Sequence, residues 1–455
     1  MSLGTLFSGP EMASALMPEW ILLLGIVAMF IIPNLGDATF RLPIPGKSIR
    51  IPILLGGKRF AITSDPRLPA AIAGFTLLAA FVTALMSQMI DSSVGIAEAC
   101  LTMDGLVQDC TSDSTHVLRI DAFSRLFEMI FYAALLLALL GNWDRLSATP
   151  LKRLALKAQS DEAVETRRLM RLMNNRRQVD FYLLVLMVAL GMSVVALSVN
   201  LFVLFVGLEL ASLASYVLVA FLKETKTGSE AGLKYFIVGS VSSAVGLYGI
   251  SMLYIWNGDL SIYGSNGLAE KWVTEGPNAM AMMGLGFMLV AFGFKVSAVP
   301  FHFVAPDAYS GAAAPVAGVL ATASKAMGFL ALMRVLIGVT LGEGENAWFV
   351  LIGLIAAVTM TWGNIAALGS RNPKRMLAYS SVAQIGYIVL GIGLANANGF
   401  TGGILHLVNH AFMKGGLFLV AGAIVYRTGL REIREFRGLS LKMPVTAATF
   451  PVCTF

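Results

Sequence analysis

Apolar residues run along the chain in stretches long enough to cross a lipid bilayer. A helix of about 20 apolar residues spans the hydrocarbon core, and eleven segments fit this pattern. They lie near 16–34, 70–90, 121–141, 181–199, 200–222, 232–255, 278–298, 315–340, 347–368, 377–396 and 402–426. The pattern predicts an all-α polytopic membrane protein with eleven transmembrane helices. Composition supports this, since 57% of residues are hydrophobic and 13% are charged.

Lysine and arginine are concentrated in alternate connections between these segments. Five connections hold 25 of the chain's 33 basic residues, namely 35–69, 142–180, 223–231, 370–376 and 427–443. The connections 91–120, 256–277 and 341–346 hold only Arg119 and Lys271. Because positively charged loops stay in the cytoplasm, the pattern predicts an N-terminus outside the cell. It also accounts for the net charge of +6 without nucleic-acid binding.

The three cysteines give no metal-ligand spacing. Cys100 and Cys110 share one predicted outer loop, and Cys453 lies alone near the end of the sequence. In an oxidising compartment the first two would form a disulfide, and otherwise they are two free thiols. Without a Cys-x-x-Cys motif, we expect no metal or iron–sulfur site in this chain.

Charged side chains inside the predicted spans are the main functional signal, because they are costly in hydrocarbon. Glu209 in the fifth segment and Lys234 in the sixth are expected to form an ion pair. The pair either has a purely structural role, or the separation of its two groups tunes their proton affinity. The stretch "FGFKVSAVPFH" places Lys295 five residues before Pro300, which predicts a broken helix lining a wet cavity or buried in protein. The alternative is a lysine that reaches the nearer interface.

Further titratable side chains follow this break. His302 comes seven residues after Lys295 and nearly shares its helix face, as a proton relay or a structural histidine. Lys325 lies among small residues that favour close helix packing. His406, His410 and Lys414 are spaced four residues apart and share one face, which favours a relay.

Three other polar residues of the predicted spans carry a weaker signal. Gln384 could hydrogen-bond water between the groups of the relay. Glu128 lies near the predicted outer interface, as a solvated or structural carboxylate. Arg334 lies near the same interface, where we expect it to anchor the helix.

The chain resembles the antiporter-like subunits of respiratory complex I, most of all subunit N. The resemblance rests on long stretches between residues 180 and 396, including "LFVLFVGLELASLASYVLV", "SEAGLKYFIVGSVSSA", "GFKVSAVPFHFVAPDAYSGAAAPVAG" and "SSVAQIGYIVLGI". It implies inverted five-helix repeats with a broken helix seven. The implied divisions are a three-helix segment 1–141, a basic cytoplasmic loop 142–180, a first five-helix unit 181–340 and an incomplete second unit 347–455.

The resemblance also implies roles for the charged residues. Glu209 and Lys234 correspond to the paired groups of helices five and six, and Lys295 to the central proton-carrying lysine. His302 and Lys325 would pass the proton toward the second unit. His406, His410 and Lys414 resemble the helix-eleven row of the sister subunits.

Two features depart from the family pattern. Gln384 stands where subunit N often has a histidine. The sequence ends at "LKMPVTAATFPVCTF", where the family normally continues through about three more helices. We therefore expect either a truncated second repeat or another chain that supplies the remaining helices.

The function implied is proton translocation in the membrane arm of an NADH:quinone oxidoreductase of the bacterial inner membrane. No cofactor is expected in this chain. The resemblance implies NADH, FMN, iron–sulfur clusters and quinone in partner subunits, with the donor being NADH, reduced deazaflavin or ferredoxin. The alternatives are a subunit of a multi-subunit cation/proton antiporter or membrane-bound hydrogenase, and a scaffold without transport.

Overall fold

The structure, a computed structural model, describes most of the chain. The described residues are 16–32, 35–44, 47–54, 68–94, 99–102, 107–109, 116–142, 161–223, 225–264, 266–340, 347–428 and 432–453. Cys110 and the side chain of Cys100 lie outside this part, and so does the disulfide predicted between them.

Helices make up most of the fold. They are α1 Met17–Ile31, α2 Leu68–Val94, α3 Ala122–Asn142, α4 Asp161–Leu197, α5 Leu201–Val219, α6 Lys226–Asn257, α7 Leu268–Thr274, α8 Ala279–Val296, α9 Ala305–Gly311, α10 Ala314–Ala321, α11 Ala323–Thr340, α12 Ala347–Leu368, α13 Pro373–Gly393, α14 Ala397–Thr428, α15 Leu439–Lys442 and α16 Pro444–Val452. Among the described residues, ten helical segments are long and apolar enough to cross a membrane, and α1 is a shorter apolar helix. All eleven predicted segments are thus helical, which confirms the predicted fold class.

Helix α4 extends beyond its predicted span. It begins at Asp161 rather than near 181, so the second half of the predicted basic loop is helical. The added stretch "DEAVETRRLMRLMNNRRQ" is rich in glutamate, arginine, leucine and methionine, which all favour helix. A search for apolar runs finds only the part of a helix that lies in the membrane, and therefore misses this extension.

Two small antiparallel sheets lie in connections that the sequence analysis treated only as loops. In the first, β1 (Leu35–Ile44) pairs with β2 (Lys47–Leu54). In the second, β3 (Ala99–Thr102) lies between β4 (Val107–Asp109) and β5 (His116–Ile120). Stretches such as "KSIRIPIL" alternate polar and apolar residues with the period of a strand. A search for apolar segments long enough to span a membrane does not detect them, because they are shorter than such a segment.

The helix predicted to break near Pro300 does break there. Helix α8 ends at Val296, and the next helix begins only at Ala305. Ser297 closes α8 in a left-handed conformation, with φ 63° and ψ 43°, and Pro300 has no N–H to continue the helical hydrogen bonds. The last carbonyl groups of α8 are therefore available to partners from other helices.

A second break, not predicted from the sequence, divides the eighth predicted segment. Helix α10 ends at Ala321 and α11 begins at Ala323, with Thr322 between them at φ −117° and ψ −83°. The Thr322 hydroxyl donates a 2.7 Å hydrogen bond to the carbonyl of Gly318, and such bonds to the preceding turn often bend helices. No proline marks this position, which is why the sequence pattern did not reveal it.

Small residues allow the helices to pack closely. A Cβ atom placed on Gly249 of α6 would lie 2.5 Å from the carbonyl oxygen of Gly284 of α8. Only glycine permits this approach of the two backbones. Helix α14 packs against α10 and α13, so its row of titratable residues lies near the second break.

Candidate functional site

Lys295 lies in the last turn of α8, directly before the break, and is buried. Its ammonium group donates a hydrogen bond to the hydroxyl of Ser212 on α5. It also lies 5.8 Å from the centre of the Tyr216 ring, a cation–π distance. Ser212 in turn donates to the carbonyl of Leu208. The partners of Lys295 are therefore a neutral hydroxyl and an aromatic face, which excludes the alternative of a lysine reaching toward the interface.

Glu209 lies three residues before Ser212 on α5, so the two side chains share one face of the helix. Its carboxylate accepts a hydrogen bond from Ser243 of α6. This arrangement places the carboxylate within one helical turn of the hydroxyl that holds Lys295.

The predicted ion pair between Glu209 and Lys234 is wrong. Lys234 instead lies 2.7 Å from Glu230 Oε1 and 3.0 Å from Asp307 Oδ2, and its side chain is 47% exposed. Lys234 and Ser243 are nine residues apart on α6, or about 13 Å along a helix, so Glu209 and Lys234 lie at different depths. That the two segments are neighbours in the sequence did not reveal this difference in depth.

Asp307 is a residue that the sequence analysis did not single out. It lies on α9, directly after the break, and its other carboxylate oxygen lies 3.4 Å from Arg375 Nη2 of α13. It therefore connects α6, α9 and α13. The available signal was a carboxylate in "FVAPDAYSG", immediately beyond the prolines.

His302 lies on the non-helical connection between α8 and α9. Since the helix has already ended, its expected alignment with Lys295 on one helix face is wrong. The half-buried ring contacts Trp362 of α12 edge-on, with 6.2 Å between the ring centres. Its Nδ1 is buried and has no hydrogen-bond partner among the described residues.

Lys325 is fully buried on the first turn of α11. Its Nζ donates a 2.8 Å hydrogen bond to the carbonyl oxygen of Val296, the last residue of α8. It also lies 5.7 Å from the centre of the Tyr309 ring. The first break thus supplies the acceptor that binds this lysine.

His410 stands in the same relation to the second break. Its Nε2 lies 3.0 Å from the carbonyl oxygen of Ala321, the last residue of α10, which requires a proton on Nε2. Both breaks therefore present a terminal carbonyl to a titratable side chain.

The other members of the α14 row contact α13. His406 Nε2 lies 2.7 Å from Gln384 Oε1, and Lys414 Nζ donates a 2.6 Å bond to Ser380 Oγ. Ser380 and Gln384 are four residues apart and share one face of α13. The prediction that the α14 groups share a face is confirmed, and Gln384 contacts His406 directly.

Two residues expected near the outer interface are buried. Arg334 Nη2 donates a 2.6 Å hydrogen bond to the carbonyl of Ala196 and lies 3.6 Å from Asp121 Oδ1. Glu128 is fully buried. The expectation of an interfacial anchor at Arg334 and the alternative of a solvated carboxylate at Glu128 are both wrong, because other helices cover these positions.

The fold and site define a polytopic membrane protein with a broken helix and titratable groups inside its bundle. Residues 198–455 match the family described as "NADH:quinone oxidoreductase/Mrp antiporter, TM", and the chain belongs to this family. The resemblance to antiporter-like subunits is thereby confirmed.

Two curated relatives, both named subunit N, show which members of the family the chain is similar to. The F(420)H(2) dehydrogenase subunit N of Methanosarcina mazei is 36% identical over 369 residues, covering 78% of this chain and 68% of that protein. The NADH-quinone oxidoreductase subunit N of Heliobacterium modesticaldum is 39% identical over 277 residues, covering 61% and 57%. The chain thus spans little more than half the length of the second relative.

Solved structures with the same fold come from different complexes. A chain of respiratory complex I from Thermus thermophilus matches with a TM-score of 0.64 and 24% identity, covering 96% of this chain and 77% of that one. A chain of the Mrp complex from Dietzia sp. matches with a TM-score of 0.72 and 22% identity, covering 97% and 70%. At these identities the likeness concerns the fold.

Proposed function

We propose that the chain is a proton-translocating membrane-arm subunit of a complex I-like NADH:quinone oxidoreductase, similar to subunit N. The observation that carries this proposal is Lys295, a buried lysine at the end of a broken helix, held by the hydroxyl of Ser212. Neutral partners leave a lysine able to release and regain a proton, whereas a close carboxylate favours the charged form. Family membership and the subunit N relatives support the same function.

The proton would move between groups on successive helices. Glu209 lies one turn from Ser212 on α5, and Ser212 contacts Lys295. Lys325 follows, bonded to the carbonyl of Val296. Since a carbonyl accepts hydrogen bonds but does not carry protons, transfer requires Lys325 to leave Val296 and water to bridge the two lysines.

The second part of the path would follow α14. His410 lies at the second break, where its Nε2 contacts the carbonyl of Ala321 and its buried Nδ1 has no hydrogen-bond partner among the described residues. Lys414 and His406 lie one turn on either side along the same helix. We propose His302 as a side branch of the path at the first break, because its half-buried ring lies there and its buried Nδ1 has no hydrogen-bond partner among the described residues.

The energy for transport would come from electron transfer in partner subunits. NADH, FMN, iron–sulfur clusters and quinone would bind there, and the residues of this chain would bind and move protons only. The loop charges support an N-terminus outside, and the bacterial subunit N relatives support a place in the inner membrane.

The test is Lys295→Ala in the assembled complex, with Lys442→Ala as the control. Lys442 is an exposed lysine near the end of the described chain. We expect Lys295→Ala to assemble and transfer electrons while the ratio of protons moved to electrons transferred falls. A normal ratio in Lys295→Ala and in the corresponding Lys325 variant would overturn the proposal and favour a scaffold.

The second candidate is a subunit of a multi-subunit cation/proton antiporter or a membrane-bound hydrogenase. The TM-score of 0.72 with a chain of the Mrp complex favours keeping the antiporter. The two functions differ in their energy source. Sodium-dependent proton movement in vesicles without an electron donor would favour the antiporter, and proton movement that requires a donor would favour the oxidoreductase.

A further inference from the structure

Charged side chains also meet inside the N-terminal three helices, apart from the row described above. Glu19 comes from α1, Arg125 and Glu128 come from α3, and Ser193 comes from α4. We call these four residues the acid cluster. Arg125 is 1% exposed, Glu128 and Ser193 are fully buried, and Glu19 is 8% exposed. Charged groups at such depth require compensating partners.

The hydroxyl of Ser193 lies between the two carboxyl groups. Ser193 Oγ is 2.6 Å from Glu19 Oε1 and 2.6 Å from Glu128 Oε1. A serine hydroxyl has one hydrogen and donates to only one acceptor. The second contact, at the short distance typical of an O–H···O bond, requires a hydrogen on a carboxyl group. The geometry therefore calls for one protonated glutamate.

The partners of the two carboxyl groups indicate which one holds the hydrogen. Glu128 Oε2 accepts a 2.6 Å hydrogen bond from Arg125 Nη1, and the same nitrogen lies 3.6 Å from Glu19 Oε1. Glu128 is thus the carboxylate that pairs with the guanidinium. Glu19 Oε2 is buried without a hydrogen-bond partner in the described structure. An unpaired oxygen costs less on a neutral acid than on a carboxylate.

Charge balance supports the same assignment. Two ionised carboxylates beside one guanidinium would leave a net negative charge in the protein interior. Two carboxyl groups that share a site do not both ionise readily. With one proton, the acid cluster is neutral.

Few other titratable groups face the acid cluster. Tyr132 follows Glu128 by one turn on α3, and its buried hydroxyl has no partner among the described residues. Asp121 lies 3.4 Å from Arg119 Nε and 3.6 Å from Arg334 Nη2. Two guanidinium groups thus share this carboxylate, and Arg334 of α11 also interacts electrostatically with Glu128. The described side chains 68–87 of α2 include no titratable group. His406, His410 and Lys414 of α14 are hydrogen-bonded to α10 and α13.

We propose that the acid cluster is a proton-binding site in which Glu19 holds one proton. Glu19 donates a hydrogen bond to Ser193, and Ser193 donates a hydrogen bond to Glu128. The bound proton neutralises the contact of α1, α3 and α4. This site is separate from the Lys295 row and is independent of the function proposed above.

The test is infrared spectroscopy of the intact complex at neutral pH, following the carbonyl band of a protonated carboxylic acid. Glu19→Gln mimics the protonated acid, so it should assemble and lose the intensity of one such acid. Glu128→Gln should also lose it, since Glu19 would then ionise to pair with Arg125. Ser193→Ala should keep the band at a shifted frequency. The control Glu270→Gln changes an exposed glutamate and should leave the band unchanged.

Assembly provides a second readout. The double variant Glu19→Gln with Glu128→Gln removes both carboxylates of the acid cluster from Arg125 and should reduce assembly severalfold, while either single variant should not. The proposal is overturned if both single variants keep the full band, or if Glu19→Gln assembles as poorly as the double variant. It is also overturned if the band appears only in sodium-free buffer, because a metal cation would then occupy the site.

Discussion

Lys325 donates a 2.8 Å hydrogen bond from its Nζ to the carbonyl oxygen of Val296, the residue that ends α8 one position after Lys295. The last carbonyls of a helix lack intrahelical partners and carry partial negative charge. The break therefore does two things at once. It gives Lys325 a neutral, dipolar acceptor. It also brings the side chain of Lys325 on α11 to the residue that follows Lys295 on α8.

Replacing Lys325 separates its structural role from its role in proton transfer. Lys325→Gln keeps a donor for the Val296 carbonyl but does not exchange a proton, so we expect assembly with loss of proton pumping. Lys325→Leu leaves the carbonyl buried without a partner, at a cost of about 1–3 kcal/mol, and should also lower the amount of assembled complex. Complex yield and the proton-to-electron ratio measure the two effects. Normal pumping by Lys325→Gln would contradict a proton-carrying role.

Ser212 and Ser215 offer a matched pair of substitutions on α5. Both are buried, and both hydroxyls donate to the carbonyl four residues earlier, but only Ser212 contacts Lys295. A hydrogen bond to a charged group contributes about 1.5–3 kcal/mol, so Ser212→Ala should leave the Lys295 ammonium less firmly held and slow proton pumping severalfold. Ser215→Ala should leave the rate nearly unchanged. Equal effects of the two variants would mean that the Ser212 hydroxyl serves helix packing only.

Much of the fold follows from hydrophobic run length alone. All eleven apolar runs are helical, one of them divided into α10 and α11, and the proline-rich stretch after Lys295 predicts the break at Val296, because both depend on local chemistry. The break at Thr322 depends on a threonine hydroxyl that bonds to its own helix, which a run of apolar and small residues does not reveal. The short strands were missed because their alternating pattern is shorter than a membrane span.

The partners of the site residues were harder to predict than the residues themselves. The sequence selected Glu209, Lys295, Lys325 and His410 as unusual charges in apolar surroundings. It did not reveal that serine hydroxyls and terminal carbonyls are their partners, since these groups occur throughout the chain. Which of them meet depends on helix depth and rotation. The predicted pairing of Glu209 with Lys234 is wrong because the two side chains lie at different depths on neighbouring helices.

The corrected pairing predicts which double substitutions are coupled. Lys234→Gln and Asp307→Asn each break the same 3.0 Å ion pair, so their effects on pumping should be non-additive when combined. The effects of Glu209→Gln and Lys234→Gln on pumping should be additive, because Glu209 is hydrogen-bonded to Ser243 rather than to Lys234. Proton-pumping rates of the singles and doubles give the comparison. Strong coupling between Glu209 and Lys234 would restore the pairing expected from sequence.

Gly328 tests how closely the helices must approach at the first break. A Cβ atom on Gly328 of α11 would lie 2.8 Å from Lys295 Cβ and 3.2 Å from the Lys295 carbonyl carbon. Gly328→Ala should therefore push α8 and α11 apart, at a cost of about 1–3 kcal/mol for overpacking. It should also lower pumping by moving Lys295 away from Ser212.

Gly286→Ala is the control for this substitution. Gly286 lies on α8, and an added Cβ would meet nothing within 4 Å. Since alanine favours helix over glycine by about 1 kcal/mol, Gly286→Ala should be neutral or slightly stabilising. Thermal unfolding of the purified complex and the proton-to-electron ratio measure both variants. If Gly328→Ala behaves like Gly286→Ala in both assays, the close contact of Lys295 with α11 is not required for transport.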